Sequence, residues 1–206
     1  LDRFNHPVSI VTKSNLVCRD LDILSAMAER GLVKVALSVT TLDRKLARLM
    51  EPRAATPERR LAAVNTLAKA AIPTVVMVAP IIPALTDMEM EAILGRAAGS
   101  GAIGAEYILL RLPLEIKALW REWLAEHYPD RAERIMRHIR EARSGKEYDS
   151  KFHRRMVGEG PYAELIAQRF NLACLRLHLR RGREQKTLDC GQFRVPFEAD
   201  GQLSLL

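Results

Sequence analysis

The chain has 206 residues, 48% hydrophobic and 28% charged, with 11 Gly and 10 Pro, which excludes collagenous, low-complexity and disordered classes. Its net charge is +7, and three distant cysteines, Cys18, Cys174 and Cys190, make a disulfide scaffold untenable and favour a reducing, cytoplasmic setting. No apolar run approaches the roughly 18 residues of a membrane span, so no membrane partner is expected.

The chain opens at Leu1 and enters an apolar run at Val8, the opening expected of a segment cut from something longer. Val8 to Lys13 is short, β-branched and bounded by Pro7 and Asn15, which predicts a strand. Leu21, Ile23, Leu24, Met27 and Ala28 form a helical stripe that ends at Gly31. A second strand is predicted over 33–40. A helix from Asp43 to Met50 is broken by Pro52 and restarts near Pro57, running to Ala71. The run TVVMVAPII at 74–82 predicts a strand buried on both faces. Asp87 is expected to cap a helix through Ala98, and 105–112 supplies a fourth strand ending at Pro113. Strand starts at 8, 33, 74 and 105 leave room for crossover helices, not hairpins, so the sheet is expected to be parallel.

The second half changes character. Residues 114–127 and 129–144 read as helices split by Pro129, and 161–176 as a third. Between them, Ser144 to Pro161 reads as a long loop or an ordered lid. Phe193, Val195 and Phe197 alternate in the tail, as in an edge strand or an arm packed on the core. Residues 1–116 carry a net +2, 117–186 a net +7, and the last twenty a net −2. The basic surplus of the helical segment is a candidate phosphate-binding surface.

In an open parallel sheet or a barrel, chemistry collects at the C-terminal ends of the strands. Those ends here are Thr12-Lys13-Ser14, Ser38 to Thr41, Ala79-Pro80 and Arg111. Lys13 either reaches solvent or presents its ammonium to an anion, with Ser14 and Ser38 as neighbouring hydroxyls. Arg53, in the Glu51-Pro52-Arg53-Ala54 break, is either a partner for Glu51 or Glu58, or a carboxylate or phosphate clamp. No Walker loop, GxGxxG, HExxH or GxSxG occurs, and His6, His127, His138, His153 and His178 have no metal-ligand spacing.

Several blocks together resemble one family. His6-Pro-Val-Ser-Ile-Val-Thr-Lys-Ser14, Arg19-Asp-Leu-Asp22, Ser38-Val-Thr-Thr-Leu-Asp43, Glu51-Pro-Arg-Ala54 with Pro57 and Arg60-Leu61, and Ala79-Pro-Ile-Ile-Pro83 are similar to radical S-adenosylmethionine proteins. The nearest branch is the bacterial group related to spore photolyase. Leu110-Arg-Leu-Pro113, Tyr128-Pro129 and Arg154-Arg-Met-x-Gly158 extend the likeness through the second half.

The resemblance implies a partial (β/α) barrel and two cofactors, S-adenosylmethionine and a [4Fe–4S] cluster held by a CxxxCxxC loop. It implies 5′-deoxyadenosyl radical chemistry on an unknown substrate and a reductant such as flavodoxin or ferredoxin for the parent protein. No CxxxCxxC exists in these 206 residues, so no metal ligand is assigned. The four strands then correspond to the third through sixth of six, and the chain reads as the C-terminal two-thirds of such a protein, inactive alone. Carried over by position, Lys13 and Ser38 would meet the S-adenosylmethionine carboxylate, Pro80 the region of the adenine, and Arg111 the substrate side of the rim. Arg53 joins these cofactor-binding candidates by placement. The expected division is a truncated barrel core at 1–116 and a helical, basic extension at 117–206. A nucleic-acid-binding or repair module, and a non-catalytic α/β domain, are the alternative readings.

Overall fold

A computed structural model describes residues 1–152, 154–182, 185 and 187–195 of the chain. Among them, strands β1 Val8–Thr12, β2 Val33–Ser38, β3 Thr74–Ile81, β4 Gly104–Leu109 and β5 Arg180–Arg181 form one sheet, parallel throughout and in sequence order. Helices α1 Leu21–Glu29, α2 Arg44–Met50, α3 Pro57–Lys69 and α4 Met90–Gly99 lie between the first four strands. Helices α5 Ile116–His127, α6 Pro129–Glu141, α7 Arg154–Val157 and α8 Pro161–Arg176 follow β4. The expected α/β class holds: a parallel sheet of partial-barrel type, then a helical region.

Alternation along the strands builds the main core on the helix side of the sheet. Val33, Val35 and Leu37 of β2 and Val76 and Val78 of β3 meet Leu61, Val64 and Leu67 of α3 and Ile93, Leu94 and Ala97 of α4. The last helix joins the same core through Ala163, Ile166, Phe170 and Ala173, and Phe170 tilts against Tyr107 of β4 at 4.8 Å. On the opposite face Ala36, Val75, Met77 and Ala79 make a small separate cluster. That face opens toward β1, where Val11 is 63% exposed.

A second core sits over the C-terminal end of the sheet. Trp120 and Leu124 of α5 and Ile135, Met136 and Ile139 of α6 close on Leu46 of α2, Ile82 and Leu85 after β3, and Leu112. Trp123 stacks on Trp120 at 5.0 Å and donates its indole N–H to the Leu49 carbonyl at 3.4 Å. The helical region therefore roofs the strand ends.

Two expectations need correction, and of the two forms expected of the tail the structure has the arm. Four strands were predicted, and a fifth is present. A two-residue Arg-Arg strand carries no hydrophobic period, but Gly104 admits it: a Cβ there would lie 2.8 Å from the Arg180 carbonyl oxygen. Asp87 does not cap α4. It opens a 3-10 turn over Asp87–Glu89, and its carboxylate instead accepts from the Tyr162 hydroxyl at 2.9 Å. Residues 187–195 form no strand. They cross the start of the chain as an arm, with the Asp189 N–H on the Gly31 carbonyl, the Arg194 N–H on that of Phe4, and Phe193 edge-on to His6. Phe193 and Val195 remain 51% and 55% exposed, and Phe197 and His153 lie outside the described residues.

Candidate functional site

Pro52 creates the site by ending α2. A residue before proline is disfavoured in the helical region, and Glu51 leaves the helix at φ −137°, ψ 60°. Its carboxylate turns into the gap between the ends of β1 and β2. There Oε1 accepts from Lys13 Nζ at 2.5 Å and from the Thr40 hydroxyl at 3.2 Å, while Oε2 accepts from Arg60 Nη2 at 2.5 Å. The Arg60 side chain is only 2% exposed and spends its other donors on backbone, with Nη1 to the Ser38 carbonyl at 3.0 Å and Nε to that of Ala55 at 2.7 Å.

This arrangement decides the protonation of Glu51. Burial pushes its pKa up, but the hydrogen bonds and charges of Lys13 and Arg60 outweigh burial and hold it below the ordinary carboxylate value. Arg60 is neutralised in full burial. The Lys13 side chain is 41% exposed, so its ammonium, a three-donor group, still faces solvent while bound to Glu51. A second acceptor can be taken there without removing the first.

The other rim positions divide. Ser38 is buried, and its carbonyl belongs to the Arg60 clamp. The Ser14 hydroxyl is engaged as a cap, accepting from the Leu16 N–H at 3.1 Å. Pro80, which cannot donate to the ladder, follows a cis Ala79–Pro80 bond inside a register shift between Val78 and Ile81. The Ala79 carbonyl accepts from Thr40 at 3.0 Å, linking this bulge to the Glu51 group. Arg53 is exposed and pairs with neither Glu51 nor Glu58. Arg60 holds the former, and Arg44 approaches the latter at 3.8 Å.

Arg111 stands apart, and among the described residues no hydrogen bond or ion pair joins it to the Glu51 group. Its Nη2 donates to the Tyr148 hydroxyl at 3.3 Å and its Nη1 lies 3.9 Å from the Met156 sulfur, which ties β4 to the 144–160 segment. Arg143, 2% exposed, pins the same segment by donating to the carbonyls of Arg154 at 2.9 Å and Leu110 at 3.1 Å. Burial, then the nearby Arg111 charge, lowers its pKa. Thus Lys13 and Ser38 come together around Glu51, Pro80 adjoins them through Thr40, and Arg53 and Arg111 do not join.

Glu51 and Arg60 were not among the site residues proposed from sequence, and Thr40 entered only as part of the strand end from Ser38 to Thr41. A signal existed for Arg60: it falls on the stripe of α3 that also carries Pro57, Val64 and Leu67. A charge at a core-facing helical position needs a buried partner.

The cysteines do not fit an iron–sulfur cluster. Cys18 faces α3, with Sγ 3.9 Å from the Ala63 carbonyl oxygen, and burial pushes its pKa up, away from the thiolate a cluster iron requires. Cys174 is buried within α8, and Cys190 is exposed on the terminal arm. Among the described residues no group of three His, Cys, Asp or Glu side chains converges. Among those residues, too, no helix is long and apolar enough to cross a membrane.

Comparison with known proteins follows the same outline. Residues 2–97 match the family model of the Radical SAM superfamily, over β1 to α4. An uncharacterized protein of Mycobacterium tuberculosis is 36% identical over 126 residues, covering 60% of this chain and 37% of the relative. An uncharacterized protein of Methanocaldococcus jannaschii is 30% identical over 128 residues, covering 62% of this chain and 46% of the relative. One from Acidianus two-tailed virus is 39% identical over 74 residues, covering 36% of this chain and 24% of the relative. The chain spans less than half the length of these curated relatives.

Proposed function

We propose that this chain is the C-terminal portion of a radical S-adenosylmethionine enzyme of the spore-photolyase-related branch, and that its sheet rim holds the carboxylate of S-adenosylmethionine. The observation that carries the reading is Lys13: an ammonium at the exit of β1, fixed by a carboxylate behind it, with donors still facing solvent. S-adenosylmethionine supplies the radical chemistry of the superfamily when bound. The contribution of this chain is to bind and orient it.

Lys13 offers a cation to the ligand carboxylate, and charge-assisted hydrogen bonds of this kind are the strong ones. Ser38 adds a hydroxyl at the next strand end. The Glu51–Arg60 clamp keeps Lys13 aimed. Pro80 shapes the rim beside them, and Arg111 stands toward the substrate side. On this reading the cluster cysteines lie upstream of Leu1, because the three present here do not converge. The division at 116/117 is proposed as one of architecture, a sheet-bearing core and a helical roof.

Anaerobic reconstitution with iron and sulfide tests the portion reading, run on this chain and on the chain extended upstream in its reading frame. A four-iron EPR signal in the extended chain alone supports it. A cluster on the 206 residues by themselves overturns it. In the cluster-bearing form, Lys13→Ala is expected to weaken S-adenosylmethionine binding about tenfold by calorimetry. Unchanged affinity would remove Lys13 from the site.

A further inference from the structure

Several bases of the C-terminal helices are paired with acids. Arg121 pairs with Glu147, Arg140 with Glu133, Arg154 with Glu159, and Arg169 with Glu91. The opposite holds from α2 to the first turn of α3. Lys45, Arg48, Arg53 and Arg59 are exposed, and among the described residues none of them has an ion pair or a side-chain hydrogen bond. Arg44 has only the 3.8 Å approach to exposed Glu58.

These cations surround a concavity. Arg44, Lys45 and Arg48 line a cavity of about 430 Å³ whose other walls include Glu51, Ala55 and Thr56. Arg44 and Arg48 stand four residues apart on one helix face, about 6 Å along the axis. The nearby acids are spoken for: Asp43 caps the Lys45 and Leu46 N–H groups, and Glu51 is held by Lys13 and Arg60. A cationic excess on low-dielectric walls focuses the field into a cleft and raises the local concentration of anions. Arg44, Lys45 and Arg48 outweigh the Glu51 carboxylate on the same wall by two charges, about the charge of a phosphate, which guanidinium groups bind bidentately.

We propose that the cavity between α2 and the 51–56 turn is a phosphate-binding site. Arg44, Lys45 and Arg48 ligate one phosphate group, and Arg53 and Arg59 extend the same surface to a further phosphate of a longer chain. The site uses neither Lys13 nor Ser38 as a ligand and does not rest on the S-adenosylmethionine reading, although Glu51, which holds Lys13, forms part of its wall.

Two probes distinguish the sources of the phosphate. Pyrophosphate and a fluorescent single-stranded oligonucleotide are titrated into the intact chain between about 50 and 200 mM salt. Arg48→Ala and Lys45→Ala are each expected to weaken pyrophosphate binding about tenfold, with the melting curve unchanged because both side chains are exposed. For a nucleic-acid ligand, oligonucleotide affinity falls steeply with salt, and Arg53→Ala lowers the log–log slope by about 0.7. For a small phosphorylated ligand, pyrophosphate binds, and Arg53→Ala changes neither affinity nor slope. Failure of both probes to bind at low salt overturns the proposal. So does binding that survives the triple substitution of Arg44, Lys45 and Arg48 by Ala.

Discussion

Glu51 is held between two cations of unequal burial, and the inequality sets what each can do. Arg60 sits at 2% exposure with every bond directed inward, so removing it leaves a carboxylate in a gap that Lys13 only half closes. Breaking a buried pair from one side costs about 3–5 kcal/mol, and Arg60→Met is expected to lower the urea-derived unfolding free energy by that amount. Glu51 also gives an acid signature. Its folded pKa lies below the ordinary 4.5, so the stability it contributes is complete above that value and is lost as the pH falls through the folded pKa. Unfolding free energy measured below pH 4.5 is therefore expected to fall more steeply in the wild type than in Glu51→Gln. Equal slopes would mean that Glu51 ionises alike in the folded and unfolded states.

Among the elements, legibility followed the strength of the local period. The last helix, α8, is legible in its sequence at the bounds it has, 161–176, because Pro161 starts it and apolar residues recur on one face. Its destination was not legible, since periodicity names the buried face but not the neighbour. The structure places Phe170 against Tyr107, and Phe170→Ala is expected to cost about 3–5 kcal/mol in chemical denaturation. A loss below about 1 kcal/mol would show that α8 is not seated on the sheet. The strand β5 had no period to read, and the Glu51–Arg60 pair spans a helix break that local patterns do not cross. The placement of Lys13 and Ser38 at neighbouring strand ends was legible because strand ends are predictable in a parallel sheet. What holds Lys13 was not, because the contact joins residues 38 positions apart.

Across the whole molecule, both cores draw on both segments. The helix-side core takes Ile166 and Phe170 from the far end of the chain, and the roof takes Leu46, Ile82 and Leu112 from the near part. Residues 1–116 expressed alone are therefore expected to lack a cooperative thermal transition by circular dichroism, and adding back 117–182 in one chain should restore it. A sharp transition in the shorter chain would make the sheet-bearing part an autonomous unit. The roof has one more use. The α2 helix carries the basic cavity along its Arg44 and Arg48 side, while Leu49 at its end is bonded to the Trp123 indole. The chain has only two tryptophans, and they are stacked on each other beside that helix. A change in intrinsic emission on titrating pyrophosphate is therefore the expected label-free sign of occupancy, and its absence would mean that the anion leaves the Leu49–Trp123 bond undisturbed.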